Sequence, residues 1–215
     1  MKNLNDLYKS TIGLISSSYY DYEKNSKDII IPYLENMEGG VFIDCGSNAG
    51  VYSILFSLCA GKGRVICFEP TDNLNMLKNN IETLKSKGVV LDNIAIEKIA
   101  VGNKTGLFKE GIWKTWTKEK IEDEFPFTTL DDYVKKEGLT RVDFVKIDVD
   151  SFDYEVLQGS VEIMKKFSPI FLIELNEALK LRGHNKEEAG RLMKENGYKL
   201  SGTGEYGNTL WVKHK

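Results

Sequence analysis

The stretch Asp44-Cys45-Gly46-Ser47-Asn48-Ala49-Gly50 sets an acid, two glycines and an asparagine within one short turn. Gly46 and Gly50 lack a Cβ, so the main chain can bend sharply there and approach a ligand, and Asn48 tolerates left-handed backbone better than most residues. Glu69-Pro70 follows another apolar run, at roughly the 20-residue offset where an acid can accept the hydroxyls of a ribose. Together these residues predict a nucleotide-like cofactor. Asp44, Gly46, Ser47, Asn48 and Gly50 would hold one end, Tyr52 and Ser53 open the following helix, and Glu69 with Pro70 would hold the other end. The pattern D-x-G-x-N-x-G lacks the third glycine of G-x-G-x-x-G, which disfavours NAD or FAD. The plainer alternative is a tight strand-to-helix turn with a solvated strand end after it.

A second set of residues suits proton transfer. Asp148 ends the apolar run Asp143-Phe-Val-Lys-Ile-Asp-Val149, and Lys146, two residues earlier, points to the same face and can pair with it. As a base, Asp148 would take the proton of an acceptor hydroxyl; a structural hydrogen bond to a neighbouring loop, or a contact to an ammonium of the cofactor, is the competing reading. Glu174 and Asn176 end the next run, where either can bind acceptor hydroxyls, and Glu174 can instead be a paired structural carboxylate. Asp150 and Asp153 fit caps of the next helix. With Asp148 they could also hold a hard divalent cation, although the reading adopted has no metal. His184 is a candidate base or surface decoration, and His214 a solvated tail residue. Trp113, Trp116, Phe125 and Phe127 form either a lid that excludes water and stacks on a ring or a small satellite core. Tyr19, Tyr20 and Tyr22 either fold over the cofactor or pack helices.

These residues need elements to hold them. Leu4, Leu7, Tyr8, Ile12, Leu14 and Ile15 recur at helical spacing, a second helical segment covers 27–37, and Gly39-Gly40 stops it. Residues 41–44 read as a buried strand because their apolar run is continuous, and a helix follows over 50–58. The rhythm repeats: strand 64–68, helix 72–87, strand 94–101, strand 143–149, helix 154–167, strand 170–175. Such βαβ alternation predicts an α/β fold, a mostly parallel sheet covered on both faces. Residues 102–128 break the rhythm and read as an inserted loop or hairpin, a possible lid. Residues 197–201 and 208–212 flank a Gly, Ser and Thr-rich segment and read as an antiparallel hairpin.

Bulk properties narrow the function. A chain of 215 residues buries one sizeable core, so a single domain with N-terminal helices over 1–40 is expected. The net charge of −3 and scattered basic residues argue against a nucleic-acid partner. Cys45, Cys59 and Cys67 lie in apolar runs without ligand spacing, which suggests reduced thiols and a cytosolic, cytoplasmic protein. The longest apolar stretch falls short of the roughly 20 residues of a membrane span, and the polar N-terminus does not read as a signal peptide.

Four blocks carry a resemblance. Phe42-Ile-Asp-Cys-Gly-Ser-Asn-Ala-Gly-Val-Tyr-Ser53, Val65-Ile-Cys-Phe-Glu-Pro70, Thr129-Leu-Asp131, and Asp143 to Val149 with Glu155-Val-Leu-Gln-Gly159 resemble the FkbM methyltransferases in order and spacing. The resemblance implies a class I methyltransferase fold, in which a Rossmann-like seven-stranded sheet ends in an antiparallel hairpin. It also implies S-adenosylmethionine as methyl donor and O-methylation of a hydroxyl on a sugar, polysaccharide or natural product, here read as a sugar, polysaccharide or glycan-linked intermediate. Asp44 would then meet the cofactor's ammonium, and Ile99, Ala100 and Val101 would pack near its adenine. The family commonly continues the Lys-Ile-Asp block with Glu-Gly, where this chain has Asp150-Ser151-Phe152-Asp153. Readings from other classes are an NAD-dependent sugar-modifying oxidoreductase and a non-catalytic, methyltransferase-like binding module.

Overall fold

The computed structural model describes residues 3–114 and 117–213; Trp116 and His214 lie outside them. The N-terminal segment forms α1 (Leu4–Ile12), α2 (Ser17–Asp21) and α3 (Lys24–Leu34), followed by β1 (Val41–Cys45), α4 (Val51–Ala60), β2 (Arg64–Phe68), α5 (Leu74–Ser86) and β3 (Ile94–Glu97). Next come β4 (Ala100–Val101), β5 (Gly106–Lys114), β6 (Glu119–Thr128), α6 (Leu130–Lys136) and β7 (Phe144–Ile147). The chain closes with α7 (Asp153–Gln158), α8 (Val161–Lys166), β8 (Ile170–Glu174), a 3-10 turn (Glu177–Arg182), α9 (Lys186–Glu195), β9 (Lys199–Thr203) and β10 (Asn208–Val212).

Among the described residues the main sheet has the order β3-β2-β1-β7-β8-β10-β9, parallel from β3 to β8 and antiparallel across β10. Its central strands are apolar and buried on both faces because helices cover both. One apolar layer joins α6 to α9 to the sheet, and the other joins α1, α3, α4 and α5 to its opposite face. Helix α4 is apolar nearly all round, so it needs a second cover, and α1 supplies it: Tyr8 Oη donates to the Val51 carbonyl at 3.3 Å.

Two expectations change in detail, and one segment gains its structure. The strand expected over 94–101 is two strands: β3 stays in the main sheet, and β4 leaves it to pair with β6 in a second, three-stranded sheet. Ile94 to Glu97 form a half-buried edge, whereas Ala100 and Val101 are buried beneath the β5–β6 hairpin. The helix expected over 154–167 breaks into α7 and α8, because the Asp131 carboxylate accepts the N–H groups of Glu162 (3.0 Å) and Ile163 (2.9 Å) and starts a fresh helix there. The polar segment after β8 carries the 3-10 turn and α9, whose capping box joins Asn185 and Glu188.

The insertion is the long antiparallel hairpin β5–β6, and Ile112, Phe125 and Phe127 close a satellite core with Ala100 and Phe152. No helix among the described residues is long and apolar enough to cross a membrane.

Candidate active site

The carboxyl ends of β1, β2, β7 and β8 open into a cavity of about 650 Å³. It is lined by Asp44, Gly46, Ser47, Asn48, Tyr52, Glu69, Pro70, Ala100, Val101, Lys146, Asp148 and Glu174, brought together from across the chain. Ligand sites in open α/β sheets lie at this edge. Two expected residues stand back from the cavity wall. Ser53 is fully buried and donates to Asp44 Oδ2 at 2.5 Å, so it orients that carboxylate. Gly50 starts α4 with φ 84° and faces Leu77.

Gly46 answers to protein packing. Its φ is 78°, and a Cβ there would lie 1.8 Å from the Asp148 carbonyl oxygen. Only glycine lets the β1 turn lie against the end of β7. The turn is also pinned to β2: Gly46 N and Ser47 N donate to the Phe68 carbonyl at 2.9 and 3.1 Å.

Asp44 is 1% exposed, and with Oδ2 bonded to Ser53, its Oδ1 has no hydrogen-bond partner among the described residues. Burial raises its pKa. A buried carboxylate oxygen left open beside a cavity fits a cationic donor group. Glu69 is more committed than its position suggests: it accepts from Asn48 N (3.1 Å), Thr71 N (3.1 Å) and Thr71 Oγ1 (2.6 Å). A carboxylate has about four acceptor sites. Glu69 therefore has one left for a ribose hydroxyl unless a protein bond yields, and burial pushes its pKa up.

At the ends of β7 and β8, Lys146 Nζ sits 2.8 Å from Asp148 Oδ2 and 4.8 Å over the Tyr52 ring. Lys146 is 2% exposed. Burial works against its ammonium, but the carboxylates of Asp148, Asp44 and Glu23 outweigh that and raise its pKa. Glu174 is pushed up to about 10, first by burial and then by Asp148 and Asp153. Asp153, fully buried, is pushed up to about 8 by burial.

Asp153 does not cap α7. Its Oδ1 accepts the Val149 N–H at 3.0 Å, which tethers the loop after β7, while Phe152 occupies the N-cap and Asp150 sits at φ 61°. Asp148, Asp150 and Asp153 form no metal-ligand cluster among the described residues.

Glu23 also lines the cavity, and nothing in the local sequence marks it as a site residue. The chain turns left-handed there between α2 and α3 (φ 48°), and Oε2 accepts from Tyr52 Oη (2.7 Å) and Asn208 Nδ2 (3.1 Å). The single hint is an acid after Tyr22 at a break in helical periodicity.

The aromatic residues of the insertion divide between a core and the cavity wall. Phe125 and Phe127 fill the satellite core, while Trp113 and Phe127 face the cavity. Tyr19 and Tyr22 line its mouth, whereas Tyr20 packs on Tyr8. His184 lies outside the cavity, 4.5 Å from the Tyr154 ring and 3.5 Å from Glu188.

A family model described as the methyltransferase FkbM domain matches residues 44–200. The chain belongs to the FkbM family of S-adenosylmethionine-dependent methyltransferases. With that, the nicotinamide-dependent reading falls. The FkbM methyltransferase of Methylobacillus flagellatus KT superposes with a TM-score of 0.62 at 15% identity over 88% of this chain, which spans only 48% of that one. An S-adenosylmethionine-dependent O-methyltransferase of Thermotoga maritima gives 0.53 at 14% identity, covering 89% of this chain and 65% of the other. A precorrin-6y C5,15-methyltransferase of Geobacter metallireducens GS-15 gives 0.51 at 12% identity, covering 86% and 84%. These likenesses establish the class I methyltransferase fold. A search of curated proteins finds no match by sequence.

The cavity fits the family's cofactor. The open Asp44 Oδ1 would take the methionine ammonium, Glu69 a ribose hydroxyl, and Ile99, Ala100 and Val101 the adenine face.

Proposed function

We propose that this methyltransferase transfers the methyl group of S-adenosylmethionine to a hydroxyl oxygen of a sugar, polysaccharide or glycan-linked small molecule. The observation that carries the proposal is the Lys146–Asp148 pair at the cavity floor beside Glu174. When bound, the cofactor supplies a methyl carbon attached to a positively charged sulfur. Asp148 accepts the proton that the acceptor hydroxyl loses as its oxygen becomes the nucleophile. Lys146 holds Asp148 Oδ2, which leaves Oδ1 to meet the hydroxyl. Trp113 and Phe127 wall the cavity on the hairpin side and exclude water. Positioning contributes much of the acceleration in such a displacement, and residues on strand ends position tightly.

An acidic cavity lining repels a phosphate backbone, in keeping with an acceptor other than nucleic acid. Three free, buried cysteines suit a reducing cytosol, where we place the protein.

The test uses methyl-labelled S-adenosylmethionine and a panel of glycosides. Transfer to oxygen leaves label in an ether that survives mild alkali. Asp148→Asn should keep the thermal stabilisation by S-adenosylhomocysteine and lose roughly 10²–10⁴-fold in turnover. Wild-type turnover by Asp148→Asn, or label lost to mild alkali, would refute the assignment.

A further inference from the structure

The cavity is out of charge balance. Among the described residues its lining carries the carboxyls of Glu23, Asp44, Glu69, Asp148, Asp150 and Glu174 against one cation, Lys146. S-adenosylmethionine brings a sulfonium, an ammonium and a carboxylate, and so offsets a single charge. Glu174 ends β8 and Asp148 follows β7, so part of that excess stands at these two strand ends.

Glu174 stands out there. It is 9% exposed, lines the cavity, and its carboxyl has no hydrogen-bond or ion-pair partner among the described residues. It lines the cavity, so a ligand there can partner it. Asp148, one strand over, is taken by Lys146, and Glu23 by Tyr52 and Asn208. Glu174 is left facing the space an acceptor would enter.

Two exposed tyrosines line the same cavity, Tyr22 at 46% and Tyr206 at 66% exposure. Tyr206 comes from the turn between β9 and β10, where its backbone has φ 56°. A left-handed conformation is strained for a bulky residue, and such strain collects at ligand sites. The turn is held by the Leu175 N–H donating to the Gly207 carbonyl (3.0 Å) and by Asn176 Nδ2 donating to the Tyr206 carbonyl (3.5 Å).

A carboxylate sharing a cavity with aromatic rings is the arrangement that recognises an alkylammonium, through a charge-assisted hydrogen bond and cation–π attraction. We propose that the acceptor is an amino sugar, whose protonated amine sits on Glu174 beside Tyr22 and Tyr206 while a hydroxyl of the same ring faces Asp148. This rests on the hydroxyl-methylation reading above. Burial, and after it the neighbouring Asp148, raises the pKa of Glu174, while Lys146 works the other way. An arriving ammonium favours the ionised form and satisfies the open carboxyl.

The experiment is calorimetry on the full chain saturated with S-adenosylhomocysteine. The titrants are methyl glucosaminide and methyl galactosaminide, each compared with its neutral parent glycoside and its N-acetyl derivative, at slightly acidic pH. The free amines should bind at least about tenfold more tightly than either comparator. Glu174→Gln should abolish that preference and leave S-adenosylhomocysteine affinity unchanged. Tyr206→Ala, at an exposed turn, should weaken the amines severalfold without loss of folding. Equal affinity for amine and neutral sugar, binding by none of them, or a preference that survives Glu174→Gln would overturn the subsite. Mass spectrometry of the turnover products separates the two readings. Methyl on the amine nitrogen sinks hydroxyl methylation and leaves the subsite standing; methyl on oxygen with no amine preference does the reverse.

Discussion

Gly46→Ala should unfold this protein well below the wild type, and the reason can be separated into two parts. The first is backbone strain: φ at Gly46 is 78°, a conformation that costs an alanine about 1–2 kcal/mol. The second is a collision. The new Cβ would lie 1.8 Å from the Asp148 carbonyl oxygen, well over an ångström short of the 3.4 Å where ordinary contact begins. Neither the turn nor the end of β7 is free to move, because each is hydrogen-bonded into the sheet. Overpacking of this kind costs about 1–3 kcal/mol. A chain of this size loses roughly 2–4 °C of Tm per kcal/mol, which predicts a drop of roughly 10 °C. Gly39→Ala is the control, since Gly39 has φ 74° but a Cβ added there would meet nothing within 4 Å, so only the first part applies. Its drop should be about 2–8 °C. Circular-dichroism melts and guanidinium titrations of the two variants measure the difference. If Gly46→Ala melts no lower than Gly39→Ala, the close approach of turn and strand is refuted.

Asp44→Asn should weaken S-adenosylhomocysteine by about 10–100-fold in calorimetry, the scale of a charged hydrogen bond; unchanged affinity would remove Asp44 from the cofactor site. Asp153→Asn tests the buried acid, whose folded pKa of about 8 lies above an unfolded value near 3.9. The folded state keeps a proton that the unfolded state loses, so this contribution is full below about pH 4 and is lost as pH rises through about 8. Denaturant titrations at pH 5 and pH 8 should therefore show the asparagine variant, which keeps an acceptor for the Val149 N–H, gaining up to about 4 kcal/mol on wild type. An identical pH slope in both proteins would contradict it. Arg182 stacks 3.6 Å from the Phe152 ring, pairs with buried Glu155, and reaches Glu110 on β5 at 3.5 Å. Arg182→Ala should loosen the hairpin by about 2 kcal/mol, read as faster hydrogen exchange over residues 106–128; unaltered exchange would show that the satellite core alone holds it.

Much of the fold is legible in the chain because its signals are local. Continuous apolar runs at residues 41–44, 64–68 and 170–175 can only be strands buried on both faces, and the α/β rhythm follows from their spacing. The turn after β1 and the acid ending β2 mark the edge where the cavity opens for the same reason, since residue type and offset suffice. Where neighbours distant in the chain decide the outcome, the local pattern misleads or is silent. The run 94–101 looks like one strand until the hairpin draws Ala100 and Val101 into a second sheet. The run 154–167 looks like one helix until the Asp131 carboxylate, some thirty residues earlier, restarts it.

Residue types and their offsets were enough for the class of fold, the edge of the sheet where the cavity opens, and most of the acids placed there. What each acid is free to do came from the packing of distant segments. Asp44 keeps an open oxygen because Ser53 takes the other; Glu69 spends most of its acceptor sites on Asn48 and Thr71; Asp148 is held by Lys146; and Glu23 arrives from between two helices. Hydrogen-bond partners and desolvation depend on which strand ends meet in space, and residue order alone does not carry that information.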